Sequence, residues 1–501
     1  MTKHIDIDTK AMRAKILDLA IRGRLTDQRQ EDGNARDLLK EIQAEKERLI
    51  KEKKIKKEKP LPEITEEEKP FDIPENWEWV RLGNLTSKVG SGNTPKGGKN
   101  SGVYKESGVE FIREMNVYND GLHYDGMVYI SSELAKTRTG SAVVAGDILL
   151  NITGGSIGRC ALVPDNFVLG NVNQHVLIIR NIVASLREYI HLVLCSPLVQ
   201  RYINNSAVGD KAGLSASKTK GFVIPLPPLA EQHRIADKVS ALFAQLDVID
   251  KAYEEYQELQ QAMKAKLLEL AIYGKLTDQR DEDGDARDLF QDIQEEKQRL
   301  IAENKIKKEK PLPEIEADEI PFEIPTNWMW VRLGDLGAPI QYPFADGPFG
   351  SNLKKEHYTT NREVRIIQLS NIGENGWRDE NVKYTTFEHL KLISRSEVYP
   401  GDIVIAKMMP AGRAIIVPDK DPKYVLSSDA VKFVPNKHLY LPFVIHCINS
   451  PVFQNQVTAN VQGTTRKRTS LSKLKNCLLP IPPLAEQKRI VAKLDELLPL
   501  L

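Results

Sequence analysis

The stretch Pro227–Asp247, PPLAEQHRIADKVSALFAQLD, continued over Tyr253–Ile272 as YEEYQELQQAMKAKLLELAI, decides how the rest of this 501-residue chain is read. Apolar residues at Ile235, Val239, Leu242, Leu246, Ile249, Tyr253, Tyr256, Met263, Leu267 and Leu270 alternate in steps of four and three, with Gln260 at the one polar position. This is a heptad seam, the mark of a helix that buries one narrow stripe against another helix. Neither Gly nor Pro interrupts Leu229–Ile272, so the pattern predicts one helix roughly 65 Å long at 1.5 Å per residue. Gln260 either sets the register of that seam or lies on an exposed face.

Both halves of the stretch recur. Pro480–Leu501, PIPPLAEQKRIVAKLDELLPLL, repeats the front half at an offset of 255 residues. Met12–Arg29, MRAKILDLAIRGRLTDQR, repeats MKAKLLELAIYGKLTDQR of Met263–Arg280 at an offset of 251. The front half therefore stands at one chain end and the back half at the other. Together they rebuild the central helix apart from the counterparts of Asp247 to Lys251, and the sequence reads as a circle cut open.

Between these helical words lie two diverged copies of one α+β domain. Each opens on a matching word, FDIPENWEWVRLGNL at Phe71–Leu85 and FEIPTNWMWVRLGDL at Phe322–Leu336. Short runs rich in β-branched residues follow, VEFIREMNV, MVYI, AVVAGDILLNI, RCALV and HVLIIR in the first copy and VRIIQL, DIVIA, AIIV and AVKFV in the second, and these read as strands. One helix is expected over Ser185–Ile203. Shared landmarks are Gly146-Asp147-Ile148 with Gly401-Asp402-Ile403, Gly158-Arg159 with Gly412-Arg413, and Val163-Pro164-Asp165 with Val417-Pro418-Asp419, while the loops between them differ. The expected division is 1–76 helical, 77–226 first globular domain, 227–327 central helical region, 328–479 second globular domain and 480–501 terminal helix. Helical spacing also extends over Asn34–Lys59 and Asp285–Lys310, each stopped by prolines. The run KEKKIKKEK at Lys51–Lys59 reads as a solvated helix face, favoured over a DNA contact by the acidic Glu63 and Glu66–Glu68 that follow.

Composition narrows the classes. Net charge is only +1, yet Trp77–Ile224 holds 15 Lys and Arg against 11 Asp and Glu, and Trp328–Leu479 holds 20 against 13. Positive charge gathered in two separate places suits two contacts with a polyanion. No apolar run is long enough to span a bilayer, and MTKHIDIDTK lacks the apolar core of a signal peptide, so a cytoplasmic protein is expected. Cys160, Cys195, Cys447 and Cys477 have no CxxC spacing and read as buried thiols in a reducing compartment. No phosphate-loop motif occurs, and Pro95 spoils the run of Gly90, Gly92, Gly97 and Gly98 as a dinucleotide fingerprint. Nine histidines form no HExxH and no His/Cys cluster in sequence, and the Asp/Asn-Pro-Pro-aromatic motif of an amino-methyltransferase is missing. The chain reads as a binder, with no metal site or cofactor of its own.

Candidate DNA-contacting residues are loop Arg, Lys, Asn, Gln and Ser, which can address phosphates or base edges. They are Ser91, Asn93, Thr94, Lys96, Arg113, Asn116, Arg159, Gln174, Lys218 and Lys220 in the first domain. In the second they are Tyr342, Lys354, Gln368, Asn371, Lys407, Arg413 and the cluster Arg466-Lys467-Arg468. Any one of them has an ordinary turn or surface role as its plainer reading, the triple cation cluster excepted. Trp77, Trp79, Trp328 and Trp330 could stack bases, but their place at each junction favours packing.

The words PLPPLAEQHRI and PIPPLAEQKRI, the circular repeat and the paired diverged domains resemble the specificity subunit of type I restriction-modification systems across essentially the whole chain. That resemblance implies two target recognition domains separated by long helices in an antiparallel coiled coil, each domain reading one half of a split, asymmetric DNA site. It implies no catalytic residues here. The implied partners are double-stranded DNA, two modification subunits using S-adenosylmethionine to methylate adenine N6, and restriction subunits using ATP and Mg for translocation and cleavage. The competing reading is a coiled-coil scaffold carrying two protein-binding domains, which the basic charge of the domains disfavours.

Overall fold

A computed structural model describes residues 7–95, 102–206, 213–459 and 468–501. The predicted long helix is continuous from Leu229 to Ile272, 44 residues. The chain divides between Glu254 and Glu255 into two compact units, inside that helix, so each unit takes half of the helix with one globular domain.

In the first unit, helices Thr9–Ile21 and Ala35–Lys51 precede a domain of two sheets. One sheet orders the strands Thr86–Ser91, Val176–Asn181, Ile148–Asn151 and Cys160–Leu162, all antiparallel. The other orders Val128–Ile130, Val109–Ile112, Gly170–Val172 and Ala142–Val143, its middle pair parallel. Side chains alternate along the central strands, so Ile148 and Leu150 face a core shared with the helices while Leu149 faces the core under the second sheet. The first of these cores also takes in Leu17, Ile21, Leu38, Ile42, Trp77, Ile235 and Val239, so helical arm and globular domain bury one continuous apolar interior.

The second unit repeats this plan. Strands Phe344–Asp346, Ala430–Phe433, Ile403–Ala406 and Ala414–Ile416 form one sheet, and the parallel pair Val364–Ile367 with Lys423–Leu426 lies inside a five-stranded second sheet. Helix Leu484–Leu497 buries Ile490 and Leu494 in the core that holds Ile272, Ile293 and Trp328.

Each domain is closed at its neck. Glu78–Arg81 pairs antiparallel with Val223–Leu226, and Met329–Arg332 with Leu478–Ile481, so the chain enters and leaves each domain side by side.

Several expectations are corrected. The helix over Ser185–Ile203 is two, Arg187–Cys195 and Pro197–Ser206, because Pro197 cannot donate into the preceding turn. The helix expected over Asn34–Lys59 ends at Lys51, where Lys53 takes a left-handed conformation (φ 57°), well before the prolines. Its copy ends at Ala302 with Asn304 at φ 55°, so neither basic run is helical. The heptad seam is buried only towards its ends: Ile235, Val239 and Leu246 are buried, Leu267 and Leu270 half-buried, but Tyr253 and Tyr256 remain 44% and 49% exposed. Within the first unit, helix Thr9–Ile21 is joined to the front half of the long helix by Arg13, whose guanidinium reaches Asp247 at 2.7 Å and Asp250 at 2.8 Å and lies over Phe243. Within the second, Gln260 donates to the Tyr256 hydroxyl and to the Leu501 carbonyl oxygen, so this polar seam position ties down a chain end. Among the described residues no helix is long and apolar enough to cross a membrane.

Candidate nucleic-acid interface

The most repeated words of the sequence meet in one buried network per unit. Glu231 of the PPLAEQ word is fully buried and accepts from Trp77 Nε1 at 2.8 Å, Gln28 Nε2 at 2.6 Å and Thr26 Oγ1 at 3.2 Å. Glu486 repeats this with Trp328 at 2.8 Å, Gln279 at 2.7 Å and Thr277 at 3.4 Å. Burial raises both carboxyls above the ordinary glutamate value, and the donors around them oppose the rise. Arg234 clasps Asp32 through both guanidinium nitrogens at 2.5 and 2.6 Å, and Arg489 does the same to Asp283. Arg81 reaches the carbonyls of Pro62, Glu63 and Gly221 and the carboxylate of Glu68, and Arg332 matches it on Pro313, Glu314, Asn476 and Glu319. The WxWVRLG tryptophans are therefore structural, Trp77 and Trp328 almost completely buried. These junctions fix each domain on its helices.

At the ends of the central strands the two domains build equivalent loop clusters. Gly92 and Gly347 each pass so close to the crossing chain, at Val172 and Ser427 respectively, that a Cβ at either position would overlap its carbonyl. Ile152 N–H donates to His175 O at 3.0 Å and Leu214 N–H to Ile152 O at 3.0 Å. In the second domain Lys407 N–H donates to Asp429 O at 2.8 Å and Thr469 N–H to Lys407 O at 2.9 Å.

One backbone frame carries two chemistries. In the first domain the Gln174 carboxamide accepts from Thr94 N–H at 3.2 Å and approaches His175, whose Nδ1 lies 2.6 Å from Thr153 Oγ1. In the second, Lys407 Nζ donates to Asp346 at 2.7 Å and Arg468 Nη2 to Asp429 at 2.7 Å. The first cluster is made of neutral donors and acceptors, the second of ion pairs whose cations can exchange a carboxylate for a phosphate or a guanine edge.

The structure thus brings together Thr94 and Gln174 in one cluster and Lys407 and Arg468 in the other. Ser91 ends its strand exposed, and the Asn93 carbonyl, beside Thr94, accepts from Arg138. Arg113 donates to Gly126 O at 2.6 Å, next to Glu114, which is held by Asn151 and Asn173. Lys218 is exposed on the short helix Ala216–Lys220. Arg159 lies over the Tyr118 ring, 4.4 Å from its centroid, Tyr342 under Arg395, and Lys354 near Glu356, while Arg413 is half-buried. Lys96, Arg466 and Lys467 lie outside the described residues.

Other candidates are engaged in holding the fold. Asn116 and Asn371 are completely buried, each donating to two backbone carbonyls and accepting from one N–H, which leaves nothing to offer a base edge. Gln368 has its amide on Asn381 O and its carbonyl on Lys383. Lys220 pairs with Glu58, and its copy Lys475 with Glu309, at the neck. Sequence reading missed His175, Thr153, Asp346 and Asp429. The one signal for them is adjacency, since His175 follows Gln174 and Thr153 opens the glycine pair Gly154-Gly155.

Two copies of one α+β domain, each joined to its helices by the same buried network, define the class: an internally duplicated two-domain protein. Residues 74–258 and 325–499 match the family described as the type I restriction modification DNA specificity domain. The chain belongs to that family, the specificity subunits of type I restriction-modification systems. It is 28% identical over 548 residues to the EcoEI specificity subunit of Escherichia coli, covering 97% of this chain and 88% of that protein. It is 29% identical over 553 residues to the EcoAI specificity subunit of the same organism, covering 98% and 89%. Its fold is shared with a chain solved in work on complex assembly of the type I R-M system, at a TM-score of 0.53 and 18% identity over 85% of this chain and 91% of that one.

Proposed function

We propose that the chain is the non-catalytic reader of a bipartite, asymmetric DNA site, each globular domain reading one half through its strand-end loop cluster. One observation carries this: the same backbone frame holds Thr94, Gln174 and His175 in one domain and Asp346, Lys407, Asp429 and Arg468 in the other. Identical frames with different side chains read different bases, because discrimination lies in donor and acceptor pattern rather than in fold. The long helix then sets the unread spacing between the halves. On this reading the near-identical helical words seat two equal modification subunits, which bring S-adenosylmethionine and flip out an adenine for N6 methylation. Restriction subunits add ATP- and Mg-dependent translocation and cleavage, and none of these cofactors is held by this chain.

The test exchanges residues 77–226 for the matching segment of a relative and sequences methylated adenines in cells carrying the chimera with its modification subunit. One half-site should change while the other half and the spacer stay. A change in both halves, or in neither, defeats the modular reading.

A further inference from the structure

Three side chains of the first domain form a group that DNA reading leaves unused. Cys160 stands on the edge strand Cys160–Leu162, and His191 and Cys195, four residues apart on one face of helix Arg187–Cys195, pack against it. Their two sulfurs and one ring nitrogen all lie within 4.8 Å of one another, the only group of three or more such side chains to converge this closely among the described residues. Cys195 Sγ is 3.6 Å from His191 Nε2. With metal–sulfur bonds of about 2.3 Å and metal–nitrogen bonds of about 2.0 Å, a tetrahedral centre holds neighbouring ligands about 3.5 Å apart. Cys160 is buried and His191 and Cys195 are half-buried.

The duplication supplies an internal comparison. At the offset that aligns Gly158 with Gly412 and Ser196-Pro197 with Ser450-Pro451, Cys160 corresponds to Ala414 and Cys195 to Asn449. Asn449, at the end of helix Leu441–Ile448, joins that helix to the second domain's edge strand, accepting from Ala414 N–H and donating to Ala414 O, both at 2.9 Å. In the first domain Asn119 accepts from Cys160 N–H at 2.9 Å, and His191 Nε2 lies 2.9 Å from Cys160 O. The second domain thus joins this strand to its helix with neither thiol nor imidazole at the corresponding positions. The other cysteines, Cys447 and Cys477, have no such partners within this grouping.

We propose that Cys160, His191 and Cys195 bind a thiophilic cation of the zinc(II) type, with water as fourth ligand, clipping the helix to the edge strand of the first recognition domain. Loading exchanges the His191–Cys160 carbonyl contact for a nitrogen–metal bond, while Asn119 keeps the Cys160 N–H. As the metal enters, the two thiols and His191 Nε2, which donates to the Cys160 carbonyl before loading, give up their protons to solvent, and the imidazole keeps its one proton on Nδ1.

The test titrates the reduced full-length chain with cobalt(II) as spectroscopic probe and then with zinc(II). A thiolate-to-cobalt charge-transfer band saturating near one equivalent per chain and bleached by zinc is expected. Cys195→Asn installs the residue that stands at the corresponding position 449, while Asn119 keeps the Cys160 N–H, so it should keep its circular dichroism and melting curve while losing at least tenfold in cobalt affinity, as should His191→Ala. Cys477→Ser should bind as the parent does. No band in the reduced protein, or one that survives Cys195→Asn, overturns the proposal. So does a Cys160–Cys195 disulfide in air with no cobalt binding after reduction, since the pair would then be a redox couple.

Discussion

At the scale of single residues, the buried carboxylates Glu231 and Glu486 explain why the repeated words are so alike. Each ties a tryptophan from the neck to a glutamine and a threonine from the LTDQR word, so a change in any one word leaves a buried polar group without its partner. Trp77→Phe removes the Nε1 donor from a buried charged acceptor and should lower unfolding free energy by about 1.5–3 kcal/mol in denaturant titration. Burial raises the Glu231 carboxyl above its unfolded value, so its contribution is fully present below the ordinary glutamate range and is lost as pH rises through the raised folded value. Glu231→Gln has no such loss. The melting temperature of Glu231→Gln relative to the parent should therefore climb as pH rises above the ordinary glutamate range, and a flat difference would refute the assignment. In the second loop cluster, Arg468→Ala should weaken DNA binding by the complex and reduce the salt slope by about 0.9 for the lost phosphate contact, read by titration at several salt concentrations. Asn371→Ala should instead damage folding, since that side chain serves three backbone groups. Sequence alone put both residues in one candidate set, because an asparagine after a strand looks the same whether it serves a turn or a base.

At the scale of elements, the long helix was fully legible: a run without Gly or Pro and a strict heptad pattern gave its ends closely. Its burial was not. Heptad spacing says which face seeks a partner, but exposure at Tyr253 and Tyr256 depends on where partner helices stop, which no local pattern encodes. Inserting one heptad beside Ala252 adds about 10.5 Å of helix while nearly preserving the face, and should lengthen the recognised spacer by about 3 bp. Methylome sequencing reads this directly, and an unchanged spacer would show that the helix does not set it. The shorter helices were read too long for a different reason. Neither Gly nor Pro interrupts Lys51–Lys59, but the chain turns left-handed at Lys53, and Glu58 pairs with Lys220 at the neck. Pro197 divides the segment Ser185–Ile203 between two helices, because it cannot donate into the preceding turn.

At the scale of the whole molecule, the necks formed by Glu78–Arg81 with Val223–Leu226 and by Met329–Arg332 with Leu478–Ile481 make each globular domain an insertion between helical words. Because chain entry and exit are paired strands, exchanging residues 77–226 should leave the spacer as it was, which the same methylome experiment checks. Two duplicated halves, two α+β domains with alternating strands and the family itself were determined by sequence alone, since helical periodicity, offset repeats and the PPLAEQ and WxWVRLG words are properties of residue order. Which loop residues share a cluster, which candidates are buried in turns, and that Cys160 meets His191 and Cys195 were decided only by tertiary structure. Those groupings join positions tens of residues apart through sheet register and helix packing. Register depends on which strands pair, and that is settled by the core as a whole rather than by any stretch of the chain.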